Sequence, residues 1–237
     1  PAMVFKGSTL VAEHGQSVFA GEAAIAAAAI ENTMHMAPIE KTQLRIPMEG
    51  DTANVIGLVP EQIITQPLKM KVKVVDEEAV SDQETGILKL GVFERHHATG
   101  HVSAALVHGF GLKRGAIAST ISHDSHNLIA IGSSDEDMLL AAHALERIGG
   151  GIAVVSDGKV LGSLALPIGG LMSKQNAHEV ADAVAHLAHL AHELGVHECY
   201  DPFLTLAFLS LPVIPALKLT DTGLVDVNAF DFIQVAE

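Results

Sequence analysis

Cysteine is almost missing from this chain. Cys199 is the only one among 237 residues, which excludes an internal disulfide framework and fits a reducing compartment, so the expected location is cytoplasmic. Tryptophan is absent and aromatic residues make up 4%, so a core has to be assembled from Ala, Val, Ile and Leu. Basic residues are scarce: 14 Lys and Arg stand against 28 Asp and Glu, a net charge of −14 with neutral histidines. Neither nucleic acid nor a membrane is an expected partner, because holding phosphate groups needs a basic face. Long hydrophobic runs are missing too. The longest uncharged apolar stretch, Phe203–Leu217, has 15 residues and contains Pro212 and Pro215. A membrane span needs about 20 predominantly apolar residues, so this stretch reads as buried core. The Ala-rich run Ala23–Ile30, flanked by Glu22 and Glu31, is shorter still. The opening residues carry no basic segment followed by an apolar stretch and a cleavage site, so no targeting signal is expected.

What is present describes a folded protein. Hydrophobic residues make up 49% and charged residues 18%, a balance that disordered chains do not have. At this length, folding buries roughly 70% of the unfolded chain's surface, enough for one good-sized domain or two small ones without a staple. Histidine is over-represented, at 14 residues, and it is the side chain most often used for proton transfer and metal binding near neutral pH.

Periodicity and turn residues give a coarse layout. Val4-Phe5-Lys6-Gly7 and Thr9-Leu10-Val11-Ala12, closed by His14-Gly15, read as strand–turn–strand, and Glu22–Glu31 as a helix by Ala content. Asn32–Pro47 reads as irregular, and a second unit begins near Thr52. Leu68-Lys-Met-Lys-Val-Lys-Val alternates as a half-buried strand does, Asp76–Glu84 reads as a loop, and Ile87–Arg95 as the next strand. Thr99-Gly100 is then expected to open a short helix through Val107, closed by His108-Gly109. Ala116–Ile121 and Leu128–Ile131 are β-prone runs joined by too few residues for a parallel crossover, so an antiparallel hairpin is predicted. Ser134 and Asp137 match a capping box for a helix with Leu139, Leu140, His143, Ala144 and Ile148 on its apolar stripe, ended by Gly149-Gly150-Gly151. Asp157-Gly158 between two apolar runs predicts a type I′ hairpin. Ser173 is expected to cap a helix over about Gln175–Leu194, and Phe232–Val235 reads as a last strand. Hairpins with interspersed helices make the expected fold class α+β: a mixed or antiparallel sheet with packed helices, preceded by a short strand–helix unit.

Most short motifs carry no chemistry. Gly109-Phe110-Gly111 resembles the start of a dinucleotide fingerprint, but it is expected to follow a helix and precede a strand, and the Gly149–Gly151 triplet has the same order. A phosphate loop needs strand, glycines, then helix. His178, Asp182, His186, His189 and Glu193, spaced 4, 4, 3 and 4, share one helix face and could chelate a divalent ion. The same spacing is what a solvated stripe produces opposite Ala181, Ala185, Ala188 and Leu194, and that reading is preferred. No G-x-S-x-G, H-E-x-x-H or C-x-x-C occurs, and no two histidines are separated by a single residue. Two polar clusters remain: Glu94-Arg95-His96-His97-Ala98-Thr99-Gly100 at a strand end, and His123-Asp124-Ser125-His126-Asn127 at a hairpin tip. Both combine acid–base groups with hydrogen-bond donors presented from the end of a rigid element. Both are also built from common turn formers, so spacing alone leaves a functional and a structural reading open.

From Glu94 onward the sequence resembles the C-terminal domain of adenine deaminases. The resemblance rests on Glu94–Gly100, Val107-His-Gly-Phe-Gly-Leu-Lys113, Gly115-Ala-Ile-Ala-Ser-Thr120, Ser122-His-Asp-Ser-His-Asn127 and Asp135-Glu-Asp-Met138. It continues through Gly149–Gly151, Leu166-Pro-Ile-Gly-Gly-Leu-Met-Ser173 and Leu209-Ser-Leu-Pro-Val-Ile-Pro215, and covers roughly residues 52–237. The opening Val4–Gly15 resembles the last strands of the small β-sandwich that accompanies amidohydrolase barrels.

The resemblance implies two units, a sandwich remnant with its connecting helix over 1–47 and the C-terminal domain over 48–237. It also implies the parent reaction, adenine and water to hypoxanthine and ammonia. That chemistry uses a binuclear manganese or iron centre in an N-terminal barrel, and the segment carrying the barrel's metal ligands is expected to lie outside these residues; no metal ligand is assigned here. The implied partners are adenine, the barrel and further copies of the chain in a homo-oligomer. His123, Asp124 and His126 are the candidates for substrate-side or supporting catalytic roles, with Glu94, Arg95, His96, His97, Ser125 and Asn127 as candidate substrate-binding residues. The alternative is a non-catalytic structural, oligomerisation or ligand-binding module whose apolar surfaces, such as Phe203–Leu217, pack against a barrel or a second subunit.

Overall fold

The computed structural model describes residues 1–19, 30–31 and 33–236. The strands in chain order are β1 (Met3–Lys6), β2 (Thr9–Glu13), β3 (Gln16–Ser17), β4 (Thr52–Leu58), β5 (Thr65–Lys71), β6 (Val74–Val75), β7 (Glu78–Ala79), β8 (Ile87–Phe93), β9 (Val102–His108), β10 (Ala116–Ser119) and β11 (Leu128–Gly132). Helix α1 (Asp135–Arg147) follows, then β12 (Gly151–Ser156), β13 (Lys159–Ala165), α2 (Ala177–Glu193), α3 (Pro202–Phe208), β14 (Leu217–Thr220), β15 (Gly223–Asp226) and β16 (Asp231–Ile233). The architecture is α+β, as the sequence implies. Eight strands form one sheet in the order β13-β12-β10-β11-β8-β9-β4-β5. Every pairing in it is antiparallel except β4 with β9. The opening residues form the expected strand–turn–strand, extended by β3 into a separate three-stranded sheet. Most of the helix expected over Glu22–Glu31 lies outside the described residues.

Both faces of the large sheet are covered, so its middle strands are buried end to end, β8, β10, β11 and β12 at every residue. The two faces differ in side-chain size. Leu88, Leu90, Val92, Ile117, Ile129, Ile131, Ile152 and Val154 point toward α2, α3 and β14. Their alternates Phe93, Ala116, Ala118, Leu128, Ala130, Ala153 and Val155 pack with Met138, Ala141, Ala142 and Leu145 of α1. Alternation along a strand makes this division automatic. On the α1 side glycine completes the paving: a Cβ on Gly132 would sit 2.5 Å from Met138 Cγ, and one on Gly91 would sit 2.8 Å from Leu44 Cδ2. Lys89 on this face is buried and reaches Asp135 Oδ1 at 2.8 Å, in the first turn of α1.

Several local expectations are corrected. Val102–His108 is strand β9, paired with β8 along its whole length, and not a helix. Gly109-Phe110-Gly111 therefore follows a strand, but β10 comes next, so the absence of a phosphate loop stands. β8 stops at Phe93, before Glu94 and Arg95. The basic alternation belongs to β5, which starts at Thr65 and contains Pro67, as an edge strand allows. Glu78–Ala79 forms a short strand inside the expected acidic loop. Ser134 caps α1, accepting from Asp137 N, but Asp137 turns away and accepts from Gly158 N at 2.9 Å. The buried stripe of α1 is Met138, Ala141, Ala142 and Leu145, and His143 is exposed. Asn176, not Ser173, caps α2, in a capping box with Glu179. Val184, Leu187, Leu190 and Ala191 form its packed face, while Ala181 and Ala185 are exposed. Asp157 and Gly158 have φ of +53° and +71°, the type I′ pair. Among the described residues no helix is long and apolar enough to cross a membrane.

Lys218 on β14 is wholly buried, and its Nζ donates to Ile63 O at 2.9 Å. Burial pushes its pKa down to about 8. Between that value and the ordinary lysine range the unfolded chain binds more protons, so this residue's contribution to stability rises with pH there. Lys218→Met is expected to raise stability at pH 7 by about 1–3 kcal/mol. The difference from wild type should shrink as pH climbs from 8 toward 10, read by urea denaturation of both proteins.

Candidate functional site

β8 and β11 are antiparallel neighbours, with Phe93, the last residue of one, opposite Leu128, the first of the other. The segment leaving β8 and the segment entering β11 therefore meet at one end of the sheet. These are the two polar clusters, 94–100 and 122–127. They are bonded to each other: Arg95 N donates to Asn127 Oδ1 at 3.3 Å, Arg95 Nε donates to His126 O at 2.5 Å, and His96 Nε2 lies 2.8 Å from Ser125 O.

Glu94 organises the first segment. One carboxylate oxygen accepts from His96 N at 2.5 Å and His97 N at 2.8 Å, and the other from Thr99 N and Thr99 Oγ1, both at 3.0 Å. Burial opposes ionisation here, but the converging donors outweigh it and hold the carboxyl at about 2. Glu94 is thus a fixed anion near neutral pH. Arg95 is almost fully buried at 1% exposure. Its guanidinium also donates to Thr33 O at 3.3 Å and Gly169 O at 3.1 Å, tying in the segment before the sheet and the loop after β13.

The second segment is anchored from below. Ser122 Oγ and Ser210 Oγ share a hydrogen bond, Ser210 Oγ donates to His123 O at 3.1 Å, and His123 N donates to Ala207 O at 3.0 Å. The His123 ring rests on Phe208 with centroids 4.9 Å apart and meets His126 edge-on at 5.3 Å. Ser122 N donates to His126 Nδ1 at 3.2 Å, so the ring proton sits on Nε2. Burial first, then the neighbouring His123 and Arg95, lower the pKa of His126 and favour the neutral ring.

The nine candidate residues thus fall into two layers. Glu94, Arg95 and Asn127 are buried, with polar atoms spent inside the protein. His96, His123 and His126 are half-buried, and His97, Asp124 and Ser125 are exposed. Sequence reasoning missed Thr33 and Phe208, which had no signal, and gave no role to Ser210, which lies in one of the blocks that carry the resemblance. It likewise gave no role to Gly169-Gly170 in another such block, whose paired glycines, at φ +67° and +72°, were a readable signal. The stripe on α2 is solvated, with only His189 and Glu193 paired, at 3.4 Å. Among the described residues no group of three His, Cys, Asp or Glu can hold a metal ion, and His126 Nδ1 is already taken. This end of the sheet does not fit a binuclear metal centre.

Comparison with known proteins places the chain. A family profile described as "Adenine deaminase C-terminal domain" matches residues 62–231. The chain belongs to that family. It is 52% identical over 236 residues to "Adenine deaminase 2" of Carboxydothermus hydrogenoformans, covering all of this chain and 41% of that protein. It is 46% identical over 208 residues to an adenine deaminase of Nitratidesulfovibrio vulgaris strain DP4, covering 87% and 36% respectively. It is 44% identical over 231 residues to one of Dehalococcoides mccartyi, covering 98% and 40%. The chain spans about two fifths of the length of these relatives.

The Glu94 cradle has a measurable signature. Its carboxylate stabilises the fold at neutral pH, and that contribution is lost as pH falls from about 4.5 to about 2. Glu94→Gln replaces one accepting oxygen with a donor and is expected to cost about 2–3 kcal/mol at pH 7. The gap to wild type should narrow below pH 4.5, measured by denaturant titration at several pH values.

Proposed function

We propose that this chain is the C-terminal part of an adenine deaminase and that the paired loops 94–100 and 122–127 face the purine site of an amidohydrolase barrel. The reaction would be hydrolysis of adenine to hypoxanthine and ammonia. The observation that carries this reading is the convergence of the two polar clusters. A buried framework of Glu94, Arg95 and Asn127 holds the backbone of His96, His97 and His126, and Ser210 and Ala207 hold that of His123, beneath an outer layer that also presents Asp124 and Ser125. Loops that merely turned the chain would not need a carboxylate with four donors and a buried guanidinium beneath them.

Each outer group has a distinct capacity. His126, neutral with its proton on Nε2, is a hydrogen-bond donor suited to a purine ring nitrogen. His123, held on Phe208, and the exposed Asp124 are acid–base groups able to move a proton at the exocyclic nitrogen. Glu94, ionised throughout the working range, is a support and not a proton donor. The manganese or iron pair of the parent chemistry belongs to the barrel in this reading. The residues here do not fit it, and no step attributed to them passes through it.

In a full-length enzyme carrying this chain, His123→Ala is expected to lower kcat about a hundredfold with no change in melting temperature. An unchanged kcat would remove His123 from the reaction. The chain by itself, given adenine and Mn²⁺ or Fe²⁺, is expected to release no ammonia. Release at an enzymatic rate would show a complete centre within these residues and defeat the divided arrangement.

A further inference from the structure

Arg95 is the largest fully buried side chain among the described residues. Its hydrogen bonds to oxygen all go to neutral acceptors: His126 O, Thr33 O and Oγ1, and Gly169 O. A guanidinium kept in the interior for stability alone is ordinarily matched with a carboxylate. The adjacent carboxylate, Glu94, is instead engaged with His96, His97 and Thr99. The loop after β13 is shaped to seat this cation. A Cβ on Gly170 would lie 2.8 Å from both terminal guanidinium nitrogens.

We propose that Arg95 is the positioning residue of this end of the sheet, holding the His126 imidazole in one orientation and one tautomer. Arg95 grips the C-terminal side of the residue: Nε holds His126 O, and its backbone N–H holds the side chain of Asn127. On the other side His126 N donates to Ser122 O at 2.6 Å, and between these holds His126 is kept at φ +52°, a backbone region that residues other than glycine seldom adopt. That conformation brings Nδ1 under Ser122 N at 3.2 Å and leaves the proton on Nε2. The charged and titratable groups facing the ring are His123 and Asp124 from its own loop and Arg95 and His96 from the other; α3 contributes the uncharged Phe208, against His123. Only Asp124 favours the protonated ring, and burial adds to the opposing side. A single-point donor such as lysine supplies the charge without the fork.

The catalytic meaning rests on reading these loops as substrate-facing; the positioning itself does not. The test is ring nitrogen spectroscopy of the histidines in this chain, which reports tautomer and titration midpoint without any activity. In wild type, His126 is expected to show one Nε2–H tautomer and a midpoint below the ordinary imidazole value. Arg95→Met should raise the midpoint, by removing one of the charges that oppose protonation, and populate the second tautomer. Arg95→Lys should keep the low midpoint but lose the single tautomer. Wild-type tautomer and midpoint in both variants would overturn the proposal. Should Arg95→Met fail to fold, a wild-type tautomer in Arg95→Lys would overturn it alone. In the full-length enzyme, Arg95→Lys should lower kcat roughly ten- to a hundredfold with KM nearly unchanged. A changed tautomer with unchanged kcat would strike the substrate-facing reading and leave the positioning role standing.

Discussion

The fold depends on one constraint: the middle strands of a sheet covered on both faces must carry small residues on one side and branched ones on the other. Along β10, β11 and β12 the alternation is nearly strict, Ala116, Ala118, Ala130 and Ala153 against Ile117, Ile129, Ile131, Ile152 and Val154. The alanine side, with Gly91 and Gly132, lets α1 lie close enough for Met138 to fill what the missing side chains leave. The branched side supplies the thicker layer that α2, α3 and β14 need. An aromatic-poor composition suits this plan, since bulky rings would hold the helix away from the sheet. The same alternation fixes register, because a slip of one residue would exchange the two faces.

From that register follows the juxtaposition at the sheet end. Phe93 opposite Leu128 sets the distance between the loops. The chain then uses two charges of opposite sign in different ways. Glu94 gathers backbone donors within its own segment, and Arg95 reaches carbonyls of three others. The adjacent residues therefore do not neutralise each other in a simple pair. One stiffens a loop and the other ties loops together, and the imidazoles above inherit their geometry from both.

Much of this was legible from residues alone. Asp157-Gly158 fixed one hairpin, the short polar link between Ile121 and Leu128 fixed another, and both polar clusters were visible as groups. β9 was misread because Ser103, Ala104, Ala105 and Leu106 are good or neutral helix formers. Their neighbours in the sheet override that preference: β8 and β4 flank the strand on both sides. The division of labour within the clusters was not legible either. A Glu-Arg pair after a strand looks like a solvated turn, and only the approach of Thr33 and Gly169 from distant parts of the chain puts the guanidinium inside. The stripe on α2 shows the reverse case, a ligand-like spacing that amphipathicity alone accounts for.

The one parallel pairing within the large sheet has a consequence for where this fold can be cut. β4 lies between β9 and β5, with Val55 beside Leu106 on one side and Leu68 on the other. The family profile matches from residue 62, inside the connection that follows β4. A polypeptide trimmed to the matched span would keep β5 but lose the strand that joins it to the sheet, and the edge of β9 would be laid bare. The matched span is therefore smaller than the sheet it belongs to, and the strand upstream of the match is part of the body it precedes.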